Sequence, residues 1–302
     1  MITLRLWQAL HTPKYHKHPL FVRILDARER SISLPVRVLI GGSILFGMFL
    51  VCGLTYVLPE WLLRQFIVLP LVLPGLYLLW VFGGTGRGVT LAGQIGAALA
   101  VEHERDTFEQ LSALPGGALG AYWIVANAYL QREANLDELN RRQIFITFMG
   151  FALVTFLLFI LYLNTWTRTA MEAFQFLPFV LYPLVAIYYV DYVCSLVTGV
   201  LVGALSASLT KRRLEGRLTA ISVFMLLQFA GYGLTLWVSL TALPLLMTAL
   251  NLPTLLARLA MAGACVLLFF LTREGINSIL WGLLAHRLDA AESEQEAVIG
   301  TL

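Results

Sequence analysis

Apolar positions in this chain come in long unbroken runs, not in the alternating or i, i+3, i+4 patterns of elements that face water on one side. Between Arg217 and Arg258 there is no charged side chain. A helix apolar on every side is either buried in protein or faces hydrocarbon, and about twenty such residues cross a bilayer core. Six stretches meet that standard, roughly 38–57, 66–82, 144–163, 176–200, 218–240 and 255–272. The second is short. Gly83-Gly84-Thr85-Gly86 follows it and reads as a helix break. The uncharged stretch Val89–Val101 beyond either extends that span after a kink or lies at the interface. Near the start, Leu4, Leu6, Trp7 and Leu10, then Leu20, Phe21, Ile24 and Leu25, recur at helical spacing among basic residues. They predict amphipathic helices lying along the inner leaflet.

Composition removes the soluble alternative. With 59% hydrophobic and 13% charged residues over 302 positions, the chain has too little polar surface to enclose its apolar material in water. The net charge of +3 says less than its placement. With the amino terminus inside, eighteen Lys and Arg fall in residues 1–37, 83–143, 203–217 and the tail after 272, against Arg64, Arg168 and Arg258 outside. Basic residues favour the cytoplasmic side. The predicted fold is therefore all-α: a polytopic membrane protein with six transmembrane helices and both termini cytoplasmic. Residues 1–37 form a cytoplasmic amphipathic region, and 38–302 a six-helix transmembrane domain. A cytoplasmic helical connection at 102–143 and a short acidic tail, Asp289 to Glu296, belong to the latter, the tail reading as frayed. The outside connections are too short for a large external domain. The first long apolar run starts only near Val38, too far in for a cleavable signal peptide.

Candidate chemistry is sparse. Cys52, Cys194 and Cys265 each sit in or at a candidate span, which argues against a disulfide framework. There is no HExxH, no GxSxG and no pair of carboxylates with room for a substrate between them. Gly83 to Gly88 lacks the Lys-Ser/Thr of a phosphate-cradling loop. His11, His16 and His18 stand among Lys14, Lys17, Pro13 and Pro19, and read as a solvated basic arm beside headgroups rather than a metal site. Basic residues do not interleave with aromatics on a soluble surface, so nucleic acid is not an expected partner. No catalytic, cofactor or metal site is expected in this chain.

Two places stand out. The stretch 101–117 is a short, well-punctuated helix. Asp106 can cap its start, Glu109 completes a capping box, and Pro115-Gly116-Gly117 ends it. Phe108, Leu111 and Leu114 share one face, and Glu102, Glu104 and Arg105 hold the preceding turn in water. Such a helix either docks on a protein partner or lies on headgroups. Within the fourth span, Asp191 is a carboxylate deep in apolar sequence, where an ionised group needs a cavity or a partner. It belongs either to a substrate path lined by Tyr188 and Tyr192, or to a structural hydrogen-bond set with a residue such as Gln228. The same span places Ser195, Gly199, Gly203 and Ala207 four apart, a small-residue edge that reads as a packing seam, within one subunit or across a dimer.

The pattern Glu102-x-Glu104-Arg105-x-Thr107-x-Glu109-x-Leu111-x-x-x-Pro115 after the second span resembles the signature of type-2 ABC exporter permeases. His18-Pro19-Leu20-Phe21-Val22-Arg23 resembles the motif before their first span, with His where Asn is usual. The six-span layout fits, and the segment Thr241 to Ala257, broken by Pro244 and Pro253, matches the short re-entrant helices that family places before its last span. The segment Gln131 to Gln143 is extra polar length. The resemblance implies a permease subunit in a prokaryotic inner membrane, paired with a second permease subunit, identical or related. The short helix is then a coupling helix. Phe108, Leu111 and Leu114 anchor it on a separate ABC ATPase subunit, with Glu102, Glu104 and Arg105 at the groove rim. ATP and magnesium belong to that ATPase. Two other classes fit the residues: an ion- or proton-coupled carrier using Asp191 and Arg273-Glu274, and a membrane scaffold that recruits a cytoplasmic partner through 102–117.

Overall fold

The last three apolar runs each form one long helix. A computed structural model describes residues 1–11, 84–104, 117–133, 178–210, 212–251 and 253–299, with isolated helical positions within 21–24 and 141–155. The elements are α1 (Ile2–His11), α2 (Gly84–Glu104), α3 (Gly117–Glu133), α4 (Pro178–Leu209), α5 (Arg213–Ala249), α6 (Thr254–Arg287) and α7 (Glu292–Ile299). Among the described residues there is no strand. Helices α4, α5 and α6 are long and apolar enough to cross a membrane. The predicted spans at 38–57 and 66–82, and all but isolated positions of 144–163, lie outside the described residues.

The three long helices outrun their predicted bounds. At 1.5 Å per residue each is about 50 Å long, against a hydrocarbon core of about 30 Å. A polar residue inside an apolar helix does not end it when a neighbouring helix supplies the partner, and this is how α6 continues past Arg273 to Arg287. The expectation that Arg273 begins a cytoplasmic tail is therefore corrected: it is wholly buried within the bundle. Seventeen inward-assigned basic residues remain in the charge count, so the bias itself survives.

Helix α4 is the centre of the described bundle, buried on all sides from Asp191 to Ala204 and again at Ser206 and Ala207. Helices α5 and α6 lie against it along narrow stripes. On α5 the buried stripe is Gly216, Ala220, Phe224, Gln228, Gly231 and Thr235, while Leu226, Phe229, Trp237 and Leu240 face outward. This inverts the soluble pattern. Small and polar residues meet the neighbouring helix, and large apolar ones are left for lipid, because hydrocarbon provides no drive to bury leucine in protein.

The Gly-rich segment opens a helix, and Gly83 with the span predicted before it lies outside the described residues. Residues 84–88 are helical, and α2 uses Gly84, Gly88, Ala92, Gly96 and Ala100, four apart, as one face of a close packing seam. A Cβ at Gly199 would stand 2.6 Å from the Gly88 carbonyl oxygen, and one at Gly203 would stand 2.9 Å from that of Ala92. Gly96 and Gly216 meet in the same way, at 2.8 Å from each other's carbonyl oxygens. The small-residue edge of α4, Ser195, Gly199, Gly203 and Ala207, is thus a seam within one chain, facing α2.

Three further expectations change. The segment before the last span forms no pair of short helices. Helix α5 runs through Pro244 to Ala249, and the chain turns at Asn251, whose φ of 47° is in the left-handed region that Asn tolerates. The acidic tail is ordered: Asp289, also at φ 47°, ends α6, with the Ala290 N–H donating to the Ala285 carbonyl at 3.0 Å, and the chain enters α7. Val298 of α7 is buried. Helix α1, finally, turns its apolar side into protein. Leu6, Trp7 and Leu10 join the main core while Leu4 is exposed. Its free N–H groups at Ile2 and Thr3 donate to the Glu274 carboxylate, the Thr3 bond being 3.2 Å to Oε2. A negative charge at a helix start also favours the dipole.

Helix α3, inside the predicted cytoplasmic connection, is buried at nearly every position from Leu119 to Leu130 and sets Trp123 edge-on against Trp281. The end of α2 is tied to it by a 2.7 Å hydrogen bond between His103 Nε2 and the Tyr122 hydroxyl. Burial pushes the Tyr122 phenol above its ordinary range, with the Arg287 charge opposing.

Candidate functional site

One buried polar network joins four helices around Asp191. Helix α4 supplies Asp191 and Ser195, α5 supplies Gln228 and Tyr232, α6 supplies Arg273, and α2 supplies Thr85. Each long helix contributes side chains four apart, because residues i and i+4 stack on one face one turn apart. Asp191, Ser195, Gln228, Arg273 and Thr85 are all buried.

The hydrogen bonds form a circuit in which every hydroxyl has a consistent role. Arg273 Nη1 donates to Gln228 Oε1, and Nη2 donates to Ser195 Oγ at 2.6 Å. The Gln228 amide, which has two hydrogens, reaches Thr85 Oγ1 at 2.6 Å and Ser195 Oγ at 2.8 Å. Thr85 and Tyr232 hydroxyls are 2.9 Å apart. Ser195 and Tyr232 then donate to Asp191 Oδ1, at 3.1 and 2.8 Å. Arg273 Nη2 is 3.4 Å from the same oxygen, closing an ion pair. The guanidinium lies 5.9 Å from the Tyr232 ring centroid, and that ring stacks on Phe269. A second, smaller link runs beside it: Thr198 Oγ1 donates to Asn277 Oδ1 at 2.7 Å, and Asn277 Nδ2 to Thr3 Oγ1 at 3.1 Å, bringing α1 into the set.

The charges cancel locally: Asp191 Oδ1 accepts from Ser195, Tyr232 and Arg273, while Oδ2 has only Thr85 Oγ1 at 3.4 Å and Arg273 Nε has no hydrogen-bond partner. Such a set fixes helix register: the six side chains have few other ways to be satisfied together, and leaving a buried one unsatisfied is costly. Chemically it is a clamp that ties four helices together through Asp191 Oδ1.

The predicted site residues divide accordingly. Asp191 is hydrogen-bonded within the network, and Gln228 is among its partners, at 3.3 Å. Tyr192 is adjacent in sequence but turned to another side of α4, where its ring meets Trp7 edge-on at 5.9 Å and the Arg87 guanidinium at 5.7 Å. Tyr188 is half-buried. The structure therefore does not gather Tyr188, Tyr192 and Asp191 into one lined path. Ser195 serves both the seam and the network. Glu102 and Glu104 form the last turn of α2, the first half-buried and the second exposed, so the turn expected there is helix. Arg105, Phe108, Leu111 and Leu114 lie outside the described residues. Sequence reasoning missed Thr85, Tyr232, Thr198 and Asn277. A signal was present: Asp191/Ser195, Gln228/Tyr232 and Arg273/Asn277 are polar pairs four apart within apolar helices.

No protein-family model, curated protein or solved structure matches this chain.

Proposed function

We propose that this chain is the membrane-spanning permease subunit of an ATP-driven exporter of the type-2 ABC class. In this reading two permease subunits, identical or related, form the substrate path in the inner membrane, and a separate ATPase subunit binds ATP and magnesium. The signature over 102–115 is the first support. The observation that carries the mechanism is the course of α2. Its Gly84–Gly88 end is bound into the buried clamp through Thr85, its small-residue face is locked to α4, and it ends at Glu104 within the signature. A docking helix that follows such a rod transmits movement of the ATPase to the centre of the bundle, since closely packed helices shift as units. The burial of Asp191 and its ion pair with Arg273 speak against a proton carrier that loads at this carboxylate, because a carrier's acid must be reached from each side in turn.

The test is purification of the tagged protein from its native membranes in mild detergent, wild type beside Leu111→Glu. A soluble ATPase that accompanies the wild type and is lost from the variant supports the reading. A stable protein with no ATPase in either sample refutes it.

A further inference from the structure

Every fourth residue of α2 from Gly84 to Ala100 is buried against α4 or α5, but the five are not alike. Three of the places admit no side chain. A Cβ at Gly84 would stand 2.7 Å from the Tyr192 carbonyl oxygen, one at Gly88 2.6 Å from that of Ser195, and one at Gly96 2.8 Å from that of Gly216. These obstacles are backbone atoms, which cannot rotate aside. Ala92 and Ala100, at the alternate places, carry methyl groups and are still wholly buried. Packed helices can step past one another by one turn, which carries each side chain to the place four residues along. The alternation of Gly and Ala closes that step in both directions. A step of α2 along its own axis toward its Gly84 end sets the Ala92 methyl where Gly88 was, against the Ser195 carbonyl, and the Ala100 methyl where Gly96 was. It also draws the charge of Glu104 into the buried place of Ala100 and gives the place of Thr85 to Val89, which offers the Gln228 amide no acceptor. A step toward the Glu104 end sets the Ala92 methyl where Gly96 was, against the Gly216 carbonyl, and takes Thr85 out of the clamp. Sliding along the axis of α4 is stopped by the side chains of α4. Ser195 would arrive at the place of Gly199, 2.6 Å from the Gly88 carbonyl oxygen, or Ala207 at that of Gly203, 2.9 Å from the carbonyl oxygen of Ala92.

We propose that this seam is a notch and not a rail: α2 and α4 hold one register and move as a single body. Ala92, Ala207 and Thr85 are the residues that forbid the step toward the Glu104 end. Any change in the shape of the bundle then falls at other helix interfaces, and a displacement at Glu104 carries α4 and the Asp191 network with it. On the permease reading the docking helix thus drives two helices at once; the lock itself does not depend on that reading.

Double electron–electron resonance on the full-length protein in lipid nanodiscs tests it. Nitroxides are placed at Gly86→Cys on α2 and Leu209→Cys on α4, both exposed positions, with Cys52, Cys194 and Cys265 replaced by alanine. A one-turn step changes the separation by about 5 Å. The otherwise unaltered protein gives a single distance. Ala92→Gly, Ala207→Gly and Thr85→Val together open the step toward the Glu104 end and add a second population, shifted by about 5 Å. Ala98→Gly removes a methyl from α2 outside the series of fourth residues and leaves the single distance, which separates an opened step from a weakened helix. Two populations in the otherwise unaltered protein overturn the proposal. A single distance in the triple variant overturns the assignment of the lock to these three residues.

Discussion

Helix α4 presents two polar faces one residue apart, and they are built for different ends. On the Asp191 face, Arg273 arrives from α6 with its charge matched, and Ser195, Gln228, Tyr232 and Thr85 join it in one hydrogen-bonded set, its Nε alone being left without a partner. On the Tyr192 face, Arg87 arrives from α2 over the tyrosine ring, with no acidic partner among the described residues. The same side chain is used in both places. What differs is whether the protein itself supplies the anion. Where it does, arginine fixes four helices in register. On the Tyr192 face, the arginine rests on an aromatic ring instead.

That contrast can be broken at several points. The largest effect is expected in the clamp. Arg273→Met or Asp191→Ala leaves an unmatched buried charge and should lower stability by about 3–5 kcal/mol, read from unfolding in detergent, whereas replacing both by apolar residues of similar volume should come close to neutral. Equal losses from the single and the double changes would say that packing, not charge, decides. Next is the seam that holds α2, and with it Arg87, to α4. Gly199→Val brings a side chain against the Gly88 backbone and should cost about 1–3 kcal/mol, the range of overpacked sites. A neutral result would mean that α2 slides past α4 without penalty. The smallest effect belongs to the Tyr192 face. Arg87→Gln should lower stability in detergent by no more than about 0.5–2 kcal/mol, since it removes the cation–π contact with Tyr192 but no ion pair among the described residues. A loss as large as that of Arg273→Met would make Arg87 a structural residue too.

How far the sequence foretold this depended on what each residue had to meet. Uncharged runs announced α4, α5 and α6, since the bilayer requires length and apolarity whatever the packing. Their ends were less legible. Arg273 looked like the start of a tail because a charge in an apolar run normally marks its boundary, and only the partner on α4 keeps α6 going. Gly84 to Gly88 are helical, although glycine in water destabilises a helix. Inside the bundle the missing Cβ is what lets α2 approach α4. Leu6, Trp7 and Leu10 gave the correct amphipathic face, but an apolar face does not reveal whether lipid or protein covers it. Asp191 was identified as needing a partner, and Gln228 was legible as one. Arg273 was not paired with it, because the two are 82 residues apart and nothing local links them.

The account stands on the claim that Asp191 and Arg273 act as one unit. The most direct measurement is a double-mutant cycle on unfolding free energy with wild type, Asp191→Asn, Arg273→Gln and the double variant, in one detergent at one pH. The account predicts a coupling of at least about 1 kcal/mol, with the double variant less damaged than the sum of the singles. Additive losses, within about 0.5 kcal/mol, would contradict it.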